Sequence, residues 1–198
     1  METRVNGFTL VEVIISLAIT VLAMGVAYMF FFSSNRTLSV TEINSTLQDE
    51  GAVIEKELFN LGTQAQGIIS VNSQPAEQIE YKSLRDTDIS ENEKYKLSTT
   101  SMELSYENGD KAVINLMNSQ LTVKIIKNDG TLIVPTKILS ENVMKFKIRP
   151  LDVRMVSDME NSDFSKALGV EFSIMLNKKK GYSNVDYPVN LIVKFRNK

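Results

Sequence analysis

From Phe8 to Phe32 the chain reads FTLVEVIISLAITVLAMGVAYMFFF, a stretch whose only ionisable groups are Glu12 and Tyr28. A continuous helix over roughly 25 residues is about 37 Å long, enough to cross a hydrocarbon core of about 30 Å with some tilt. The segment is therefore a membrane span, and the chain after Phe32 must fold as a body tethered to a bilayer. Arg4 precedes the block, and Arg36 is the first basic residue after it. Basic residues on both flanks discriminate weakly, but a short N-terminus favours keeping that end inside, with everything after Phe32 outside.

A secretory signal also begins with a basic start and an apolar core, but that core is roughly 7 to 15 residues long and ends at a small-x-small cleavage site. Here the core is longer and closes on the bulky run Tyr28-Met29-Phe30-Phe31-Phe32. Gly7 stands directly before it, and Glu12 stands inside it, where a carboxylate is costly to insert and is normally kept for a reason. Gly7-Phe8-Thr9-Leu10-Val11-Glu12, continued by Val13-Ile14-Ile15-Ser16-Leu17-Ala18-Ile19, resembles the N-terminal signature of type IV prepilins and of the pseudopilins of type II secretion. The resemblance implies that a membrane-embedded prepilin peptidase cuts between Gly7 and Phe8 on the cytoplasmic side and methylates the new amine of Phe8. It also implies other pilin subunits, the inner-membrane assembly platform and membrane lipid as partners.

Elementary chemistry gives these residues roles. Gly7 has no side chain to obstruct the scissile bond. Glu12, about 6 Å along a helix from Phe8, is placed to pair with the Phe8 amine of its own or a neighbouring subunit. Leaving both charges unpaired in a water-free bundle is costly, so pairing selects one axial register and makes Glu12 the candidate assembly residue. A plain signal anchor whose Glu12 snorkels to the headgroups is the simpler alternative.

Beyond the span, Val40, Ile43, Leu47, Gly51, Ile54, Leu58, Leu61, Ala65 and Ile68 follow at helical steps, and no proline occurs before Pro75. This predicts one helix from about Phe8 to Ala65 whose outer half is amphipathic, with Gly51 as a weak point. After Gly67 the period becomes alternating. Met102-Leu104-Tyr106, Ala112-Ile114-Leu116, Leu121-Val123-Ile125, Leu132-Val134 and Met144-Phe146-Ile148 read as strands, with turns at Asn108-Gly109 and Asn128-Asp129-Gly130 and a stop at Pro150. A terminal hairpin of Leu168 to Leu176 and Tyr187 to Phe195 is joined by Lys178-Lys179-Lys180-Gly181, read as a polar loop; Asp86 to Lys94 and Ser157 to Lys166 read as surface loops.

The expected fold class is α+β, a long transmembrane and amphipathic helix packed on an antiparallel β-sheet head, which is also pilin-like. The expected divisions are leader 1–7, membrane helix 8–32, exposed helix 33–66 and head 67–198. In its C-terminal half, the Ile138 to Phe146 segment and terminal hairpin are similar to PilW-type minor pilins and J-type minor pseudopilins. A proline in the membrane helix and a C-terminal disulfide, common in major pilins, are missing, which favours either a minor subunit, one that initiates, caps or decorates a fibre, or a lineage that closes its head domain without cystine. The competing expectation is a signal-anchored extracellular adhesin or binding module outside any filament.

Composition narrows the chemistry. Cysteine, histidine and tryptophan are absent, which removes thiol and Ser-His-Asp catalysis and any His- or Cys-dependent metal centre. No carboxylate stands in a recognisable acid–base setting, so the chain is not expected to be an enzyme, to need a cofactor or to carry a catalytic or metal site. Asp86 to Glu93 offers spaced oxygens, but Glu91 and Leu97 occupy the positions where an EF-hand needs glycine and glutamate, and Asp158, Glu160 and Asp163 carry the same discount. Lys124, Lys127, Lys137, Lys145, Lys147, Arg149, Arg154 and Lys178 to Lys180 form a possible phosphate-binding stripe, but lysines on strand edges also serve solubility, and at net charge −2 DNA is an unlikely partner. Two glycosylation sequons, at Asn35 and Asn44, fall on the predicted helix and are ascribed to chance.

Overall fold

A computed structural model describes residues 9–80, 96–151, 161–162 and 164–196. A single helix, α1, runs from Leu10 to Gln64. Its 55 residues, at about 1.5 Å each, extend roughly 82 Å. Hydroxyls of Thr20, Thr37, Thr41 and Thr46 donate to carbonyls four residues earlier at 2.8–3.0 Å, so these polar groups do not interrupt it. From Leu10 to Phe32 every large apolar side chain is at least 50% exposed, and among the described residues the head approaches this stretch at Phe32, beside Tyr182. Burial begins at Ile43 and recurs at Leu47, Gly51, Ile54, Leu58 and Leu61, steps of three and four residues that stay on one side of the helix. Ala65 and Ile68 are buried too, but they have left the helix: Ala65 is extended at φ −73° and ψ 152°, and Ile68 belongs to the first strand.

The head is antiparallel throughout. In chain order its strands are β1 (Gly67–Val71), β2 (Gln74–Pro75), β3 (Ile79–Glu80), β4 (Leu97–Ser98), β5 (Ser101–Ser105), β6 (Lys111–Met117), β7 (Gln120–Ile126), β8 (Leu132–Ser140), β9 (Val143–Leu151), β10 (Asn161–Ser162), β11 (Gly169–Lys180) and β12 (Ser183–Lys194). They form a six-stranded sheet, β2-β1-β5-β6-β7-β8, a four-stranded sheet, β12-β11-β9-β4, and the short pair β10-β3. The chain passes between the two larger sheets at Thr99-Thr100 and again at Glu141-Asn142, and both sheets contribute to one core with α1. The helix lies on β12 and β11 and reaches β8 at the edge of the other sheet. This is the α+β architecture that the two periodicities predict, and it is pilin-like, as the resemblance implies.

Turn chemistry explains the meander. Gly109 and Gly130 take φ of +83° and +86° at the two predicted turns. Two further tight turns, Asn72-Ser73 and Asn118-Ser119, have both residues at positive φ, the mirror-image geometry that matches strand twist. Asn72 tolerates it because its side chain is bonded: Nδ2 donates to the Ser98 carbonyl at 3.0 Å, and Oδ1 accepts from the Thr100 amide at 2.7 Å.

Several expectations are corrected. Lys178, Lys179 and Lys180 are not a loop but the end of β11, paired with Val185, Asn184 and Ser183 around a two-residue Gly181-Tyr182 turn. Met144 is 56% exposed, because a register shift beside Met175 and Leu176 gives the inward position to Val143. Pro150 does not end its strand, since β9 continues to Leu151, and Leu168 lies before β11 at 48% exposure. Of the stretch 157–166, Phe164 is fully buried in the common core, so that part is an anchor and not a surface loop. The Asp86 to Lys94 segment, Asp158, Glu160, Asp163 and Arg154 lie outside the described residues.

Candidate functional site

The described chain opens on Thr9, and Thr9-Leu10-Val11-Glu12 forms a reciprocal cap at the helix start. The Thr9 hydroxyl accepts from the Glu12 amide at 3.3 Å, while Glu12 Oε2 accepts from the Thr9 amide at 2.9 Å and from its hydroxyl at 3.0 Å. Thr9 itself is extended, at φ −77° and ψ 151°. The first amides of any helix lack intrahelical acceptors, and a threonine with glutamate three residues on satisfies two of them. In lipid the arrangement matters more, because no water is present to bond those amides. Glu12 thus sits one turn inside the apolar segment, with its carboxylate folded back toward the N-terminal end. Gly7 and Phe8, the candidate cleavage and methylation residues, lie outside the described residues. Thr9 was not singled out from the sequence, although threonine followed three residues later by glutamate before an apolar run is a legible capping signal.

A second constellation fixes the head on the helix, and sequence reading missed it. Glu42, Glu50 and Glu57, spaced eight and seven residues apart on one side of α1, each hold a different part of the head. Glu42 pairs with Lys180 at the β11 tip (2.6 Å), and Glu57 pairs with Lys137 of β8 (2.5 Å). Between them Glu50 accepts from Ser140 Oγ at 2.5 Å and from Asn142 Nδ2 at 2.8 and 3.0 Å, at the corner linking the two sheets. The Lys180 ammonium, by hydrogen bond and by charge, holds the Glu42 carboxyl below the usual carboxylate range. The Glu42 pair is exposed and the Glu57 pair has an exposed lysine, so each contributes little individually. Glu50 is half-buried and accepts several bonds, so Glu50→Ala is expected to lower stability by roughly 2 kcal/mol, the scale for hydrogen bonds to a charged group. Urea denaturation of the detergent-solubilised chain, read by near-ultraviolet circular dichroism of the head tyrosines, measures it.

The basic residues do not form one stripe, although Lys145 and Lys147 share a cleft with Lys96. Lys124 is on β7, Lys145, Lys147 and Arg149 are on β9 in the other sheet, and Lys178 to Lys180 end β11. Lys137 and Lys180 are engaged by helix glutamates, and Arg149 lies 2.5 Å from Glu171, which is itself 3.3 Å from Lys96. Among the described residues no group of three or more Asp or Glu gathers around a metal-sized space. Tyr106, beside the cleft formed with Thr63, Gln64 and Arg196, is pushed up to about 12 by burial, away from acid–base use near neutrality. Both Asn35 and Asn44 are on α1.

Residues 3–28 match the protein-family model described as Prokaryotic N-terminal methylation motif. Neither the curated proteins nor the solved structures provide a match. The matched segment contains Gly7, Phe8 and the Thr9–Glu12 cap, and it leads into the exposed apolar half of α1. The chain thus carries a prepilin-type N-terminal methylation motif at the head of a long helix packed against antiparallel sheets, a pilin-like arrangement.

Proposed function

We propose that this chain is a minor subunit of a type IV pilus-like or pseudopilus fibre, cleaved between Gly7 and Phe8 by prepilin peptidase and N-methylated at Phe8. The observation that carries the reading is the methylation motif at the head of an uninterrupted helix whose apolar side chains from Leu10 to Phe32 stay at least half exposed among the described residues. Before assembly that apolar half is held by the cytoplasmic membrane, with the head outside. In the fibre the same surface is covered by the corresponding helices of other subunits, so membrane extraction and assembly exchange one apolar environment for another. The role is structural, and Glu12 is assigned to docking rather than to chemistry.

The head supports contacts with neighbours as well. At the edge of the six-stranded sheet, β8 exposes Leu132, Ile133, Val134 and Ile138 by 37–50%. An exposed apolar edge strand is a pairing hazard unless it is covered or guarded, and here Pro135, Lys137 and the neighbouring part of α1 guard it among the described residues.

Intact-mass and N-terminal spectrometry after co-expression with a prepilin peptidase tests the processing. The expected product begins at Phe8, is methylated and lacks the METRVNG leader. An intact Met1 start, or a cut beyond Phe32, contradicts the proposal. The minor assignment has its own measurement, the abundance of this chain in sheared fibres: a small fraction of the shaft protein is expected, and stoichiometric abundance overturns it.

A further inference from the structure

The β11–β12 hairpin extends further than the sheet requires. Its strands pair one for one from Gly169 and Lys194 to Lys180 and Ser183, but β9 accompanies β11 only as far as Leu176. Past Asn177 the hairpin is a two-stranded ribbon, an element that is marginal by itself in water. It runs back along α1 toward the membrane end. At its tip Tyr182 is 90% exposed, and its ring centroid lies 6.4 Å from that of Phe32, the last residue of the apolar span. Asn35, Arg36 and Ser39 complete a shallow cleft between helix and turn. The tip therefore stands where the helix leaves the hydrocarbon core.

The charge there differs from that of the whole chain. At the turn Arg36, Lys179 and Lys180 are accompanied by Glu42, and 3 − 1 gives a local +2 in a chain of formal charge −2, while Lys178 shares a cleft with Glu50 and Glu141. Glu42 takes Lys180, and Asp186 accepts from Asn177 at 2.6 Å. An exposed tyrosine flanked by lysines and arginine at the end of a membrane span has the composition of an interfacial anchor, with the ring among headgroups and the cations facing phosphates.

We propose that the Gly181-Tyr182 tip, with Arg36, Lys179 and Lys180, is a docking surface for the anionic phospholipid headgroups of the membrane that holds α1. Before assembly it seats the head against the bilayer, which fixes the tilt of α1 and the direction in which the head faces incoming subunits. The inference rests on the reading that residues 8–32 span the membrane with the head outside.

Because the chain has no tryptophan, a single substitution gives a clean reporter. Tyr182→Trp is introduced into the full chain and reconstituted in phosphatidylcholine vesicles with and without phosphatidylglycerol, using lipids spin-labelled either near the headgroup or deep in the chain. The expected result is a blue-shifted emission quenched by the shallow label and strengthened by phosphatidylglycerol. A Glu107→Trp reporter, in the turn beside the far end of α1, stays unquenched. Arg36→Gln with Lys179→Gln is expected to reduce the phosphatidylglycerol-dependent docking by roughly twenty-fivefold, about fivefold per cation removed. Emission and quenching of Trp at 182 equal to those at 107 overturn the proposal, as does quenching indifferent to lipid charge. Protection that appears only when a second pilin subunit is added also overturns it, because the surface then binds protein. An Ala18→Trp reporter separates the two failures: if the deep label does not quench it, the membrane reading itself is wrong.

Discussion

Glu12→Leu is expected to insert in the membrane and to be cleaved like the parent, yet to enter fibres at a level roughly tenfold or more below it. The carboxylate lies one turn inside an apolar helix, where an unpaired charge is disfavoured, and in the proposed docking role a cation on a neighbouring subunit would select one axial offset. Leucine improves insertion and removes that selection. The substitution also deletes half of the cap with Thr9, so the assembly defect has two possible sources. Glu12→Gln separates them, because glutamine at this position still accepts from the Thr9 amide but carries no charge. If charge pairing guides docking, the glutamine variant fails as the leucine variant does. If the cap is what matters, glutamine assembles normally and Thr9→Ala shows the defect. Incorporation is read by immunodetection in sheared fibres against the membrane pool, and normal levels for both Glu12 variants remove the proposed role.

The amphipathic half of α1 was legible because its burial is one-sided. From Ile43 to Leu61 the apolar positions recur at helical spacing, and the structure buries those same residues. The limit of that method appears at Ala65 and Ile68, which keep the period but bury from an extended segment and a strand. Periodicity reports which side chains go inward, not which backbone carries them. The β11 tip was lost for the opposite reason. Lys178 to Lys180 offer no apolar alternation, so nothing in the pattern shows a ladder that is held by backbone pairing and by the Glu42 contact. Asn72-Ser73 and Asn118-Ser119 lack the glycine that marks mirror-image turns, and Met144 is misassigned because a bulge changes parity without changing composition. The N-terminal motif was legible as a pattern, while the Thr9 bond to Glu12 required asking where the first helical amides find acceptors. The three glutamates on α1 were hidden because their partners are 80 to 138 residues away in sequence.

The glycines of α1 carry the second large effect, and they separate by surroundings rather than by propensity. Gly62→Val is expected to destabilise the head by roughly 3 kcal/mol, at the upper end of ordinary overpacking. A Cβ at Gly62 would lie 2.7 Å from Val193 Cγ1 and 3.1 Å from Val193 Cβ. Val193 is buried on β12, and its branched side chain has few rotamers to retreat into, so helix and strand must part. Gly51 is less constrained. Its nearest neighbour is Tyr187 Cε1 at 2.9 Å, the far end of a half-buried ring that can turn aside, although Val189 Cγ2 follows at 3.1 Å. Gly51→Ala thus sets a clash against a helix-propensity gain of about 1 kcal/mol, and a smaller net loss is expected. A Cβ at Gly25 would meet no described atom within 4 Å beyond its own stretch of helix, so Gly25→Ala is expected to leave head stability unchanged. Urea denaturation of the three variants in detergent, read by the head tyrosines, gives the order Gly62, Gly51, Gly25. Equal midpoints for Gly62→Val and the parent would show that the helix does not rest on β12 as closely as Val193 and these glycines indicate.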